Sequence, residues 1–199
     1  METYHGIQTF QAKDRLEWRE WLARNHRSEK SVWLIIYKKG SGLPTVQYPE
    51  AVDEALCFGW IDSKPNKRDE KSYYQFFAKR NPKSNWSRVN KEKVAQLIKQ
   101  GLMQSAGFEA IEIARQNGTW TELDEVENLI LPDDLRDALS KNKTAGDTWE
   151  AFPPSSKRGI LEWILQAKKP ETRQRRINET VSLAEKGIRA NHFNQPKRK

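Results

Sequence analysis

Trp60-Ile61-Asp62-Ser63-Lys64-Pro65-Asn66-Lys67-Arg68-Asp69-Glu70-Lys71-Ser72-Tyr73-Tyr74-Gln75-Phe76-Phe77 is the stretch that decides the fold class. Both of its ends favour extended chain. Trp60 to Ser63 alternates apolar with polar residues, and Ser72 to Phe77 is rich in the aromatic side chains that fill a pleated surface. Pro65 to Asp69 is turn chemistry, so a hairpin with a charged tip is predicted. Just upstream, Pro49 suits a first helical position, Val52, Ala55 and Leu56 make one apolar stripe, and Gly59 takes the left-handed conformation that stops a helix. A short helix feeding a hairpin points to an α+β fold, a small and mainly antiparallel sheet packed by helices.

Outward from this stretch the pattern continues. Asp14 predicts an N-cap for a helix to about Asn25, with Glu17 at the capping-box position and Trp18, Trp21 and Leu22 on one face. Ser31-Val32-Trp33-Leu34-Ile35-Ile36-Tyr37 is apolar at consecutive positions, which suits a central strand covered on both faces. Lys38-Lys39-Gly40-Ser41-Gly42 closes it as a plain turn; the residues of a phosphate-binding loop are absent. Beyond the hairpin, Asn90 is read as a cap for a helix burying Val94, Leu97, Ile98 and Leu102, and Ser105 starts another bearing Phe108, Ile111 and Ala114. Acidic residues Glu122 to Glu127 form a linker-like stretch, with a boundary near residue 125.

The remainder reads as helices: from Pro132, from Thr144 to Phe152, from a cap at Ser155 or Ser156, and from Thr172 onward, separated by Pro153-Pro154 and Pro170. The expected organisation is an α+β core over residues 1–125, an all-helical C-terminal region over 126–190 and a mobile basic tail over 191–199.

At 199 residues the chain is long enough to bury a real core, and eight tryptophans in a sequence that is 31% charged imply a core built from a few large rings. No apolar run approaches the ~20 residues that span a bilayer, and the N-terminus lacks a basic-then-apolar signal pattern, so a cytoplasmic location and no membrane insertion are expected. A single cysteine, Cys57, excludes an internal disulfide and any multi-cysteine metal site. The net charge of +8 is unevenly placed: residues 62–99 hold 11 Lys/Arg against 4 Asp/Glu, and residues 171–199 hold 8 against 3. Two basic segments on a mildly acidic remainder suit an anionic partner, whether small molecule, acidic protein or nucleic acid, and equally suit lysine-rich solvated faces.

Ala55-Leu56-Cys57-Phe58-Gly59-Trp60-Ile61-Asp62-Ser63, Ser84-Asn85-Trp86-Ser87-Arg88-Val89-Asn90, Gly118-Thr119-Trp120, Leu131-Pro132-Asp133-Asp134-Leu135, Trp163-Ile164-Leu165-Gln166-Ala167-Lys168 and Glu171-Thr172-Arg173-Gln174-Arg175-Arg176-Ile177 carry a resemblance. Together they resemble the bacterial YdeI/OmpD-associated family, also labelled bacteriocin-protection proteins, along nearly all of the chain. That family usually has a Pro-Arg pair after the aromatic strand, where this chain reads Ala78-Lys79-Arg80, so only Arg80 carries over. The resemblance implies a fold near the frataxin-like and YjbR-like folds and a loose link to envelope stress or bacteriocin tolerance. It implies no reaction.

Catalytic groups are few. His5 and His192 lie near the termini, His26 falls where a helix C-terminus favours a cation, and no metalloprotease or serine-hydrolase motif occurs. Cys57 has two readings, a nucleophile beside a base or a buried structural thiol. Asp62 and Asp69 are the other catalytic candidates, and no cofactor or metal is expected. The set with the most to offer a ligand is Trp60, Asp62, Lys64, Arg68, Asp69, Tyr73, Arg80, Ser84, Trp86, Ser87 and Asn90. Trp60, Asp62 and Lys64 share one face of an alternating strand, and Tyr73, Gln75 and Phe77 answer from its partner. Rings interleaved with arginines bind planar anions by stacking and charge-assisted hydrogen bonds; the same residues also serve as core, ion pairs and helix caps. Arg173 and Arg176, one helical turn apart, are read either as a phosphate clamp or as a solvated face. The expected function is a non-enzymatic binder of an anionic small molecule or acidic partner, with nucleic-acid binding second and an enzyme third.

Overall fold

Among the described residues the sheet has five strands, in the spatial order β1 (Thr3–Tyr4), β2 (Ile7–Gln11), β3 (Ser31–Tyr37), β5 (Ser72–Lys79) and β4 (Trp60–Lys67). The computed structural model describes residues 2–191, so the basic segment 192–199 and His192 lie outside the described residues. These divide into two compact units, one ending at Thr121 and the other beginning at Glu122.

In the first unit β3 (Ser31–Tyr37) is the middle strand, between β2 (Ile7–Gln11) and β5 (Ser72–Lys79). Its unbroken apolar run follows from having two covered faces. Val32, Leu34 and Ile36 enter the large core beneath the helices, while Trp33 and Ile35 join Tyr74 in a smaller cluster on the other face. The β2–β3 pair is parallel and is joined through α1 (Arg15–Asn25); the remaining pairs are antiparallel, so the fold is α+β with a mostly antiparallel sheet. β1 (Thr3–Tyr4) and β2 form a small hairpin that the residue pattern does not foretell. The Glu2 carboxylate ties it down by accepting from the Tyr74 hydroxyl at 2.6 Å and the Arg68 guanidinium at 3.1 Å.

Asp14 caps α1 as expected, accepting from the Glu17 amide at 2.9 Å, while the Glu17 carboxylate reaches back to the Lys13 amide at 2.6 Å. α2 (Tyr48–Cys57) lies against α1 through the buried Glu54 carboxylate, which accepts from Arg15 at 2.6 Å and Arg19 at 2.5 Å. Pairing on both sides is what makes a carboxylate tolerable at 1% exposure.

Several boundaries differ from expectation. β4 (Trp60–Lys67) runs through Pro65 and Asn66, so the turn is later than predicted; an edge strand can hold a proline because one side of it has no partner to supply. Its register shifts between Asp62 and Pro65, which ends the simple alternation. Ser87, not Asn90, caps α3 (Arg88–Lys99), and Asn90 sits in its first turn donating its amide to the Ser87 hydroxyl. Ile98, expected inside, is 42% exposed, and Phe108 is 47% exposed: α3 and α4 (Ser105–Gln116) bury narrower faces than their apolar content suggests.

The second unit is helical: α5 (Asp124–Glu127), α6 (Asp133–Ser140), α7 (Lys143–Ala151), α8 (Pro154–Leu165) and α9 (Pro170–Ala184). Its core is centred on Trp149, Leu135, Ile160, Ile164 and Ile177. Pro132 and Pro153 occupy the N-cap positions of α6 and α8, so the expected serine cap of α8 is replaced by a proline-led start in which Pro154 is the first helical residue. Among the described residues no helix is long and apolar enough to cross a membrane.

A close backbone contact joins α4 to the end of α2. A Cβ built on Gly107 would collide with the Cys57 carbonyl oxygen, and one on Gly59, whose φ is +71°, would fall 2.6 Å from the Ala106 carbonyl oxygen. Backbone lies against backbone here, with the Gln104 amide donating to Cys57 O at 3.1 Å. A Gly107→Ala chain must separate the two helices, and in urea unfolding it is expected to lose about 2–3 kcal/mol, at the upper end of an overpacking cost; a gain in stability, as for glycine in an open helix, would refute this packing.

Candidate functional site

The turn from α2 into β4 places the first functional side chain. Phe58 caps α2, Gly59 reverses the chain, and Trp60 begins β4 with its indole 1% exposed, donating from Nε1 to the His26 carbonyl at 3.3 Å. Trp60 meets Trp21 edge to face at 5.9 Å, so one end of the ring is core. Opposite Trp60 stands Lys79, and the next residue, Arg80, donates its amide to Gly59 O at 2.9 Å. The end of β5 is thereby pinned to the helix-ending turn.

From Arg80 the chain turns through Asn81–Ser84, where the Ser84 hydroxyl donates to Asn81 O at 2.7 Å, and returns at Asn85 and Trp86. Arg80 Nη2 donates to Asn85 O at 2.5 Å, and the guanidinium carbon sits 3.7 Å from the centre of the Trp86 ring. The Gly118-Thr119-Trp120 segment holds this loop from behind. Trp86 donates its amide to Thr119 O at 3.2 Å, Asn117 Nδ2 donates to Pro82 O at 2.7 Å, and Trp120 packs on Trp86 at 5.0 Å.

Between the loop, the Phe58–Trp60 turn and α4 lies a hollow of about 530 Å³. Its apolar walls include Phe58, Trp60, Trp86 and the α4 face Ala106, Ala110, Ile113 and Ala114. Its charged lining is Arg27, Lys79 and Arg80 against one carboxylate, Glu109, with His26 also present. The Arg80 Nε and Nη1 atoms are enclosed and have no hydrogen-bond partner. Burial pulls the Arg80 pKa down to about 10, and the distant attraction of Asp62 only partly offsets it. A guanidinium in this state carries charge that its surroundings do not neutralise.

Of the residues singled out in the sequence, Trp60, Arg80 and Trp86 converge on this hollow. The others are elsewhere. Asp62 accepts from the Tyr48 hydroxyl at 2.6 Å, Lys64 is exposed, and Tyr73 packs against the helix-side core. Arg68 pairs with Glu2 and Asp69, while Asp69 also accepts the Lys71 and Ser72 amides to shape the hairpin turn. Ser84 closes the loop, and Ser87 and Asn90 form the start of α3. Arg173 forks onto Asp134 at 2.6 and 2.9 Å, whereas Arg176 donates to the Trp163 carbonyl and lies over that indole, so the two do not converge on one anion. Lys79, Phe58 and the α4 alanines were not identified in the sequence. Ala106, Ala110 and Ala114 recur every fourth residue, a signal that is visible but is indistinguishable from ordinary helix packing.

Among the described residues no group of three His, Cys, Asp or Glu side chains is placed to hold a metal ion. Cys57 is fully buried, and burial together with the nearby Glu54 carboxylate pushes its thiol up to about 11 against the opposing pull of Arg19. That favours the structural reading of this thiol over the nucleophilic one.

Comparison with known families gives two matches. Residues 10–110 match a domain of unknown function, DUF8412, and residues 128–187 match the family described as Bacteriocin-protection, YdeI or OmpD-Associated. The motifs Ala55–Ser63 and Ser84–Asn90 therefore fall in the first match, and Leu131–Leu135, Trp163–Lys168 and Glu171–Ile177 in the second, so the latter family's own match is narrower than the sequence resemblance suggested. No curated protein and no solved structure matches the chain.

The Cys57 environment predicts a pH dependence. Its unfolded thiol ionises near 9.0 whereas the folded one keeps its proton to about 11, so its stabilising contribution is complete below pH 9 and is lost as pH rises towards 11. Between pH 8 and 10.5 the chain should lose on the order of 1–2 kcal/mol more in urea unfolding than a Cys57→Ala chain does. Parallel pH profiles of the two chains would show that the thiol is not so perturbed.

Proposed function

We propose, from the premise that this chain belongs to the DUF8412 family through residues 10–110 and to the YdeI/OmpD-associated, bacteriocin-protection family through residues 128–187, that it is a non-enzymatic protein that binds a small anionic molecule in the Trp60–Arg80–Trp86 hollow. The observation that carries the reading is the Arg80 guanidinium, stacked on Trp86 and enclosed at Nε and Nη1 without an acceptor. A buried charge left unpaired costs several kcal/mol, and the attraction of an anion in the adjoining hollow would recover part of that cost. Ala106, Ala110 and Ile113 of α4 offer the rest of a ligand an apolar seat. A role in envelope stress or bacteriocin tolerance, and a cytoplasmic location, accompany this reading as part of the same proposal.

Nucleic-acid binding ranks second. Its support is the local excess of Lys and Arg over residues 62–99, but much of that charge is spent within the fold: Arg68 pairs with Glu2, Lys67 with Glu70 and Lys93 with Asp53. An enzyme ranks third, since Cys57 is buried with a raised pKa and Asp62 and Asp69 serve the hydroxyl and amides beside them.

Thermal melts across a panel of carboxylates, phosphates and nucleotides test the proposal. A ligand present at about 100 times its Kd should add about 2.7 kcal/mol and raise the melting temperature by several degrees. Arg80→Gln should abolish that shift while changing the stability of the free chain by no more than about 1 kcal/mol, because it removes an uncompensated charge along with a ring contact. The absence of any shift across the panel would overturn anion binding, and affinity for oligonucleotides that falls steeply with salt would favour the second reading.

A further inference from the structure

The charged residues of the hollow belong to different walls, and their division restricts the ligand. Arg27 follows the end of α1 and Lys79 ends β5, and the two are neighbours because Lys79 Nζ donates to Arg27 O at 2.7 Å. Both are exposed. Arg27 forms no ion pair among the described residues, and a bond to a neutral carbonyl leaves Lys79 its full charge and further N–H donors. Arg80 adds to this charge, but its Nε and Nη1 are enclosed, so those atoms attract a ligand only through space. The α4 wall is different: Ala106, Ala110 and Ile113 stand there with the exposed carboxylate of Glu109. With His26 neutral, three cations against one carboxylate leave two positive charges unanswered. A ligand matched to this lining carries two negative charges, and Glu109 repels either of them from the α4 wall, so both belong beside Arg27 and Lys79.

We infer that the hollow takes a small alkyl phosphate monoester, its phosphate on Arg27 and Lys79 and its carbon chain along Ala106, Ala110 and Ile113. This rests on the proposed anion-binding role and narrows it to one chemical class. A monoester holds close to two charges and three acceptor oxygens on one tetrahedral group, which a guanidinium fork and an ammonium can engage together. A monoanion leaves one of the two cations unanswered, and a dicarboxylate separates its charges and carries one of them towards Glu109. The volume of about 530 Å³ is that of an ordinary small-molecule site. No bond is made or broken; the site only recognises.

The test is calorimetry on the full chain at pH 8, where the monoester is doubly charged, with n-butyl phosphate, n-butyl sulfate, glutarate and inorganic phosphate as probes. Butyl sulfate has the shape of butyl phosphate and one charge fewer. Butyl phosphate should bind about tenfold or more tighter than butyl sulfate, the ratio that one charge-assisted hydrogen bond supplies, and tighter than glutarate by a similar factor. Inorganic phosphate, which lacks the chain, should bind at least about fourfold more weakly than butyl phosphate, the worth of one buried methylene. Arg27→Gln and Lys79→Gln replace exposed side chains, so each should bring the phosphate-to-sulfate ratio towards one while the melt followed by circular dichroism stays in place. Glu109→Gln should raise glutarate affinity more than that of butyl phosphate. Equal binding of butyl phosphate and butyl sulfate, or a ratio that survives both cation variants, would overturn the inference. Glutarate or butyl sulfate binding more tightly than butyl phosphate would overturn the phosphate class and leave anion binding standing, whereas no response to any probe or to the wider anion panel would remove both.

Discussion

The close approach of α4 to the turn that ends α2 is the constraint on which the first unit depends. Gly107 against Cys57 O and Gly59 against Ala106 O leave no room for a side chain at either position, so the two helices meet through backbone. That contact orients the methyl face of α4 toward the start of β4. Gly59 also accepts the Arg80 amide on its carbonyl, which fixes the end of β5 relative to the same turn. One glycine thus brings a helix end, two strand ends and a neighbouring helix to a common point, and the hollow is the space this junction cannot fill.

The electrostatics of the fold make that junction distinctive. Several other arginines are answered by carboxylates: Arg15 and Arg19 by the buried Glu54, Arg68 by Glu2, Arg158 by Glu127 and Glu162, Arg173 by Asp134. These pairs hold elements together and carry little information about partners. Arg80 differs in being enclosed beside an open hollow with only a carbonyl and an indole for company. An imbalance of this kind is stable only because the rest of the unit over-determines the position, and it is the sort of departure from local satisfaction that accompanies recognition sites.

The tryptophans divide between the interior of the core and its edge beside the hollow. Trp18 and Trp21 stack at 5.2 Å under the sheet and are structural, and Trp149 centres the second unit. Trp60 and Trp86 are equally buried by area, at 1% and 2%, yet both border the hollow. Burial alone therefore does not separate a core ring from a wall ring. What separates them is whether the ring lies inside the core or at its edge beside the hollow, which is a property of the assembled elements.

Much of the fold was legible from local chemistry. The Asp14 cap, the stop at Gly59, the central position of β3 and the helical C-terminal region follow from short-range rules of capping, periodicity and backbone freedom, which act over a few residues and so are written in the order of the chain. The same rules marked Trp60, Arg80 and Trp86 as worth attention. They could not distinguish these three from Asp62, Arg68 or Ser87, nor foresee the parallel β2–β3 pair, the exposure of Ile98 and Phe108, or the part played by Lys79 and the α4 alanines. Those outcomes depend on which residues distant in the chain become neighbours, and on which charges find a partner there. Sequence by itself determined the elements and the residue types available to a site; only the tertiary structure decided that Arg80 is enclosed at Nε and Nη1 without a partner, because pairing and burial are settled by packing between elements.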